Sequence, residues 1–264
     1  MKDLVRAQLC ETALWKWLVL LCLLFGAINI SLTSHLSTEF SNAPVYEDLL
    51  LRATNNGILV SYTYMFLLPV LIGYAGIPSS WQAQLCIRSG SRWSWLFSVV
   101  LSLMIKVALY IAMICLSVWI IGMLNGAVLA RSWTQIRSAP RLFDLSPLGT
   151  AGIALGLVYA RLLFFSLLAL PVNVALPKYR CGAFVSLAAS CCIDANFMAL
   201  FPHVPFELSP NYHSIFAFPA GSFHWHPRAE FGWSLLYWVI IGAVIILITY
   251  RFAARTDFGD QRVR

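Results

Sequence analysis

The chain has 264 residues, of which 60% are hydrophobic and 11% charged, and its mean hydropathy is +0.76. These values exclude an ordinary soluble globular protein and indicate an integral membrane protein. At about 20 residues for each membrane-spanning helix, the length allows about five to seven spans and leaves no room for a sizeable soluble domain. The formal charge of +7 marks faces that meet anionic lipid or the cytoplasm, and we predict no nucleic-acid partner.

Six apolar stretches predict an all-α, polytopic membrane protein that forms a single transmembrane domain over residues 1–264. The predicted spans are residues 13–31, 58–77, 96–124, 148–170, 181–201 and 231–250. The basic N-terminal stretch resembles a signal peptide but lacks a clean small-residue cleavage site, so we interpret it as an uncleaved first span. Polar residues 32–57 predict an exposed loop, and Pro171 and Pro177 bracket the turn predicted after span four.

The segment 78–95, which precedes the third predicted span, is amphipathic. Apolar residues recur there near helical spacing and alternate with polar and basic residues: Trp81, Leu85 and Cys86 against Gln82, Gln84, Arg88 and Arg92. This pattern is typical of a helix that lies on a membrane surface and turns into a span, with Trp93 and Trp95 at the headgroup level. An ordinary basic loop between two helices is the alternative.

The distribution of basic residues predicts that both termini are cytoplasmic, because short cytoplasmic loops are enriched in Lys and Arg. Six spans with the N-terminus inside place most basic residues on the cytoplasmic side and all five histidines on the outer side. The loop at residues 125–147 departs from this rule, since it carries Arg131, Arg137 and Arg141 on the predicted outer face. That loop either lies flat on the outer leaflet or indicates a miscounted span.

Three ionisable residues fall inside predicted spans, namely Lys106, Arg161 and Asp194. A charge in hydrocarbon costs at least about 2.5 kcal/mol on insertion scales, so such residues usually face a partner or a water-filled path. Arg161 and Asp194 occupy consecutive antiparallel spans at compatible depths, which allows an ion pair that either holds the spans together or contacts a substrate. Lys106 either snorkels towards the inner surface or faces a translocation path.

Motifs for nucleotide binding and catalysis are missing from the sequence. It contains no GxxxxGK[ST], HExxH or GxSxG motif, so we predict no catalytic residue and leave enzyme activity open. His224 and His226, near His213 and Glu230, are weak candidates for metal ligands. Structural or interfacial histidines are the commoner interpretation in a loop of this composition, and we predict no metal site.

Small residues offer two faces for close helix packing. Gly122 with Gly126, and Gly152 with Gly156, each form a GxxxG pair. These pairs permit contact within one chain or between chains.

This combination resembles the permease subunit of bacterial ABC exporters of the type-two permease class. An N-in chain of about six spans, with a basic amphipathic element before span three, is the topology of that family. The local match is IRSGSRWSWLFSVVL at residues 87–101, which is similar to the family's basic, Trp-containing entry to span three. Residues 236–237 (LY) and 255–258 (RTDF) are also similar to members of this group.

The resemblance implies a coupling helix that contacts a dimer of separate ATPase subunits, with Gln84, Arg88, Ser89 and Arg92 at or near the contact. ATP and Mg would be bound by that partner, and this chain would hold no cofactor. A second permease chain, identical or homologous, would complete the pathway in the bacterial cytoplasmic membrane.

The expected activity is ATP-driven export of an amphiphilic or peptide-like substrate. Aromatic residues of the spans are candidates for the lining of the path: Trp119, Tyr159 and Phe164.

Two other classes stay open on the sequence. A stand-alone membrane immunity or sensor protein would share the topology but would not depend on Arg88 or Arg92. A membrane enzyme would require His224 and His226 of the outer loop and would act without a partner ATPase.

Overall fold

The computed structural model describes residues 5, 14–39, 44–55, 59–68, 91–130, 146–176, 181–200, 203, 213 and 227–255. Within these ranges the regular secondary structure is helical, and the only β-type pairing is an isolated bridge between Val45 and Val128. The all-α class predicted from the sequence is therefore confirmed for the described part of the chain.

Seven α-helices are present in these ranges, with one π-helical segment, Leu59–Tyr64, directly before the third. They are α1 (Leu14–Glu39), α2 (Tyr46–Asn55), α3 (Met65–Leu67), α4 (Arg92–Leu124), α5 (Pro147–Ala175), α6 (Gly182–Leu200) and α7 (Pro227–Arg255). Helices α1, α4, α5, α6 and α7 each contain most of one predicted span. Of the predicted second span, only residues 59–68 are described.

Among the described residues, three helices are long and apolar enough to cross a membrane: Arg92–Leu124, Pro147–Ala175 and Gly232–Arg255, with mean hydropathies of 2.5, 2.2 and 2.2. Lys16–Leu32 forms a shorter apolar helix. These helices indicate a membrane-embedded protein. The number of six spans stays a prediction, and so does the amphipathic helix over residues 78–95, of which residues 78–90 lie outside the described ranges.

Contacts between the long helices fix their relative directions. Helix α6 is antiparallel to α5, because the Gly182 backbone N–H donates to Asn173 Oδ1 at 2.9 Å while Ser186 Oγ donates to the Phe165 carbonyl. Helix α7 runs parallel to α5, since Phe164 packs on Trp238 and Leu167 approaches Gly242. Helix α5 contacts α2, α4, α6 and α7 and is therefore the central helix of the described bundle.

The prediction of an exposed loop over residues 32–57 is wrong for the described part of that stretch. Helix α1 continues to Glu39, and α2 is buried where α4 ends and α5 begins. Val45 and Leu51 pack against Ala151, Ala154 and Leu157 of α5. The segment is polar in composition, but its apolar residues share one helix face, and a polar helix buries such a face when a complementary surface is available.

Proline and glycine behave differently from the sequence-based expectation. Pro171 lies inside α5, which continues to Ala175, so the predicted turn begins only after that residue.

Gly126 lies beyond the end of α4 with φ of 69°, where it can adopt a left-handed conformation at no steric cost. Nothing lies within 4 Å of a Cβ placed at Gly152 or Gly156, so this GxxxG pair does not pack against a described helix.

Two buried tyrosines connect α2, the π-helical segment and α4. Tyr64 Oη donates to the Ala53 carbonyl at 3.0 Å, and Tyr110 Oη donates to the Tyr64 carbonyl at 3.1 Å. The two rings meet edge to face at 6.5 Å between centroids. Both hydroxyls are thereby satisfied in the apolar interior, which a buried polar group requires.

Candidate functional site

The first turn of α4 is bonded to the last turn of α7. Arg92 Nη1 donates to the Ala253 carbonyl at 2.7 Å and also to the Ala254 carbonyl. The Trp93 indole stacks on the Tyr250 ring, with 4.4 Å between centroids and 13° between planes. We call these five residues the α4–α7 junction. Arg92 contacts carbonyls that the end of a helix leaves without an intrahelical donor, and a positive charge is favourable there.

Helix α4 begins inside the predicted amphipathic segment. Ser91 has extended backbone angles, φ of −154° and ψ of 150°, and its side chain accepts a hydrogen bond from the Ser94 N–H at 3.1 Å. This is a helix N-cap, and it sets the start of α4 at Arg92, four residues before the predicted start of span three.

The predicted ATPase-contact residues are described only in part. Gln84, Arg88 and Ser89 lie outside the described residues. Arg92 is described, and its guanidinium is bonded within the chain. The contact of all four residues with an ATPase subunit stays a prediction.

Two cations lie in the interior of the bundle. Lys106 is 3% exposed and Arg161 is fully buried. Arg161 is fourteen residues from each end of α5, which is its midpoint, and Lys106 is fourteen residues into α4. Both side chains take part in interactions within the protein. Burial of this kind near the middle of apolar helices is costly, so a partner or a functional role is expected.

The register of α6 against α5 bears on the predicted Arg161–Asp194 ion pair. Ser186 is paired with Phe165 in the antiparallel contact, so position 190 is level with Arg161. Position 194 lies on the same face of α6, four residues or about 6 Å farther along. The backbone register is compatible with the pair, but the side chain of Asp194 lies outside the described part of the structure, and the pair stays a prediction.

A groove of about 620 Å³ lies between α2, the second half of α4 and the start of α5. We call it the α2–α4–α5 groove. Its lining is almost entirely apolar and consists of Tyr46, Glu47, Leu50, Cys115, Leu116, Val118, Trp119, Leu129 and Leu148. Its volume falls in the range of sites that hold small organic ligands.

Glu47 is the one acidic residue of this lining, and its side chain is only 6% exposed. Its Oε2 accepts a hydrogen bond from the Ala130 N–H at 2.9 Å. Asp48, the next residue, forms an ion pair with Arg52 at 3.0 Å, whereas no cation of the described chain lies within ion-pair distance of Glu47. Glu47 lies in the first turn of α2, where the helix dipole stabilises a negative charge.

The predicted aromatic lining does not form one surface. Trp119 is 51% exposed and lines the groove. Tyr159 Oη donates to the Met104 carbonyl at 3.2 Å, and Met104 is fifteen residues, or about 22 Å, from Trp119 along α4. Phe164 packs inside the bundle against Phe165 and Trp238.

The weak metal-ligand candidates His224 and His226 lie outside the described residues. His213 is described, and it is buried against α7: its Nδ1 is 3.0 Å from Ser234 Oγ, and its carbonyl accepts from Trp238 Nε1 at 3.0 Å. Its ring also stacks on Tyr237 at 4.0 Å. No group of three His, Cys, Asp or Glu side chains within the described ranges is arranged to hold a metal ion. His213 therefore attaches the chain before α7 to that helix.

Glu47 was missed as a site residue because the sequence analysis assigned it to a loop. The stretch YEDLLLRATN does carry helix signals, with acidic residues in its first turn and an i,i+4 pair of Asp48 and Arg52. These signals predict an amphipathic helix, and they would have placed Glu47 on a packed element.

No protein-family model matches the chain, and comparisons with curated proteins and with solved structures gave no match.

Proposed function

We propose that this chain is the transmembrane subunit of an ATP-driven exporter of the type-two ABC permease class, working in the bacterial cytoplasmic membrane. A separate dimer of ATPase subunits powers it by binding and hydrolysing ATP with Mg, and a second permease chain, identical or homologous, completes the pathway. The cargo is an amphiphilic or peptide-like molecule. The observation that supports this proposal is the α4–α7 junction.

The junction connects the proposed coupling segment to two long apolar helices at once. Residues 78–95 end in the first turn of α4, and that turn is bonded to the last turn of α7 through Arg92 and stacked on it through Trp93. A displacement of the segment by an ATPase subunit is therefore transmitted to α4 and α7 together. Packed helices move as rigid elements, because well-packed contacts have few intermediate arrangements.

Helix α5 carries the motion into the centre of the bundle. It contacts α4 and α7, which the junction joins, and it also contacts α2 beside the groove. Arg161 sits at its midpoint and is fully buried. In the proposed cycle, movement of α4 and α7 changes the packing around α5 and opens or closes the path between the two permease chains.

Affinity purification of the tagged chain from its native membranes in mild detergent tests the proposal. We expect a P-loop protein to copurify in stoichiometric amount, and its ATP hydrolysis to depend on the presence of this chain. Recovery of a partnerless chain without ATPase activity from its native membranes would reject the exporter function. That result would favour a stand-alone membrane immunity or sensor protein.

A further inference from the structure

The α2–α4–α5 groove lies in the second half of α4, within the apolar stretch of that helix. Cys115, Leu116 and Trp119 are five to nine residues before the end of α4 at Leu124, whereas Leu129 lies beyond that end and Leu148 is the second residue of α5. The groove therefore runs from the apolar second half of α4 to the level of the helix ends. A ligand that fits must be apolar along most of its length.

The wall of the groove holds one acidic side chain at its α2 end. Glu47 is a buried carboxylate with one hydrogen bond, from the Ala130 N–H, and no described cation within ion-pair distance. A carboxylate in such surroundings attracts a cation more strongly than one in water, because the local dielectric constant is lower.

We propose that the α2–α4–α5 groove binds the hydrocarbon chain of an amphiphile whose cationic group lies beside Glu47. The apolar lining accommodates the chain, and the carboxylate selects a positively charged head over a neutral or anionic one. As a cargo site, the groove depends on the proposed transport function and specifies the charge of the exported amphiphile. As a binding site, it can be measured without any ATPase.

Alkylation of Cys115 measures whether a ligand occupies the groove, since Cys115 lines the groove and is partly exposed. Cys22 on α1 is exposed and is absent from the groove lining, so it serves as an internal reference in the same molecule. The full chain in phosphatidylcholine nanodiscs is treated with a maleimide at pH 7, and alkylation of both cysteines is followed by mass spectrometry. The probes are dodecylammonium, dodecanol and dodecyl sulfate, which share one chain length and differ in head charge.

We expect dodecylammonium to protect Cys115, but not Cys22, at a concentration about tenfold below that of dodecanol, with dodecyl sulfate the weakest. Glu47→Gln retains an acceptor for the Ala130 N–H, and it should abolish the preference for the cation while leaving protection by dodecanol unchanged. Trp119→Ala should weaken protection by all three compounds. Phe184→Ala is the matched control for Trp119→Ala, because Phe184 is an exposed aromatic residue that does not line the groove.

Equal potency of the three compounds, or an unchanged preference in Glu47→Gln, would overturn the assignment of a cationic ligand and leave a groove for ordinary lipid chains. Absence of any protection of Cys115 would reject the site as a whole. A positive result in a chain that copurifies with no ATPase would establish the binding site and reject only its role in export. Loss of protection in a chain that does copurify with an ATPase would reject the site and not the exporter.

Discussion

Arg92 Nη1 lies 2.7 Å from the carbonyl oxygen of Ala253, so a guanidinium from the first turn of α4 contacts the last turn of α7. The two residues are far apart in the sequence, and each lies at the end of a long apolar helix. The bond joins the segment that the sequence predicts as a coupling element to α7. Any force on that element is consequently shared between two helices.

Replacing Arg92 by Ala should destabilise the chain by about 1–2 kcal/mol, because the hydrogen bonds from a charged donor are lost at a partly buried position. Arg92→Lys should recover part of this stability, since an ammonium can donate to one of the two carbonyls. Thermal unfolding in detergent measures both effects. Arg251→Ala, at an exposed position of α7, is the control and should be close to neutral. Equal stability of Arg92→Ala and Arg251→Ala would show that the junction contributes nothing.

Replacing Arg88 by Glu should weaken binding of the ATPase subunit by about 2 kcal/mol or more, roughly 30-fold, if this residue lies at a charged subunit contact. The readouts are copurification of the ATPase and its stimulation by the permease. Arg88 is preferable to Arg92 for this test, since Arg92 is also bonded to α7 and its reversal would disturb the fold. Arg255→Glu, on the same predicted face, is the control. Full stimulation with Arg88→Glu would contradict the coupling role.

Replacing Asp194 by Asn should cost about 3–5 kcal/mol of stability if Asp194 is the counter-ion of the buried Arg161, because a cation would remain in the interior without its charge partner. The double variant Arg161→Met with Asp194→Leu should recover most of that loss, since apolar replacement of a buried pair is often neutral. Chemical unfolding of Arg161→Met, Asp194→Leu and the double variant in mixed micelles gives the coupling free energy of the double-mutant cycle. Additive effects of the two single variants would exclude the pair.

Replacing Gly182 by Ala should destabilise the α5–α6 contact by about 1–3 kcal/mol through overpacking. A Cβ at this position would meet the Ala169 carbonyl oxygen and would come within 2.6 Å of Asn173 Cγ. The Ala169 carbonyl belongs to the backbone of α5 and cannot rotate away. Gly156→Ala is the matched control, because nothing lies within 4 Å of its added Cβ. It should be neutral or slightly stabilising, since Ala has the higher helix propensity. Thermal unfolding of the two variants, measured side by side, decides between these outcomes.

Much of the architecture could be predicted from the sequence because apolar runs of the required length have few alternatives to helix in a membrane. The predicted spans 96–124, 148–170 and 231–250 lie inside α4, α5 and α7. The helix ends were less predictable, since caps and partner helices set them: Ser91 starts α4 early, and α5 continues through Pro171. A proline removes one backbone donor, and in a packed bundle that loss does not by itself end a helix.

The sequence predicts a candidate site residue only where that residue type is rare among its neighbours in the chain. Lys106 and Arg161 stand out as charges within apolar runs, and both prove to be buried. Glu47 does not stand out, because it lies in a polar stretch and becomes buried only when α2 packs against the ends of α4 and α5. The pairing of Asp48 with Arg52 follows the i,i+4 spacing of a helix, whereas the packing of Glu47 beside Ala130 joins residues that are distant in the sequence.

By itself, the sequence determined that this is a helical membrane protein and located the three helices that are long and apolar enough to cross among the described residues, because hydrophobic length is a local property of the chain. Only the tertiary structure decided that Arg92 meets Ala253, that α2 is buried and that a groove opens beside Glu47. These relationships join residues that are distant in the chain. They follow from how helix faces pack and how backbone polar groups find partners, which are properties of the whole bundle and not of any one segment.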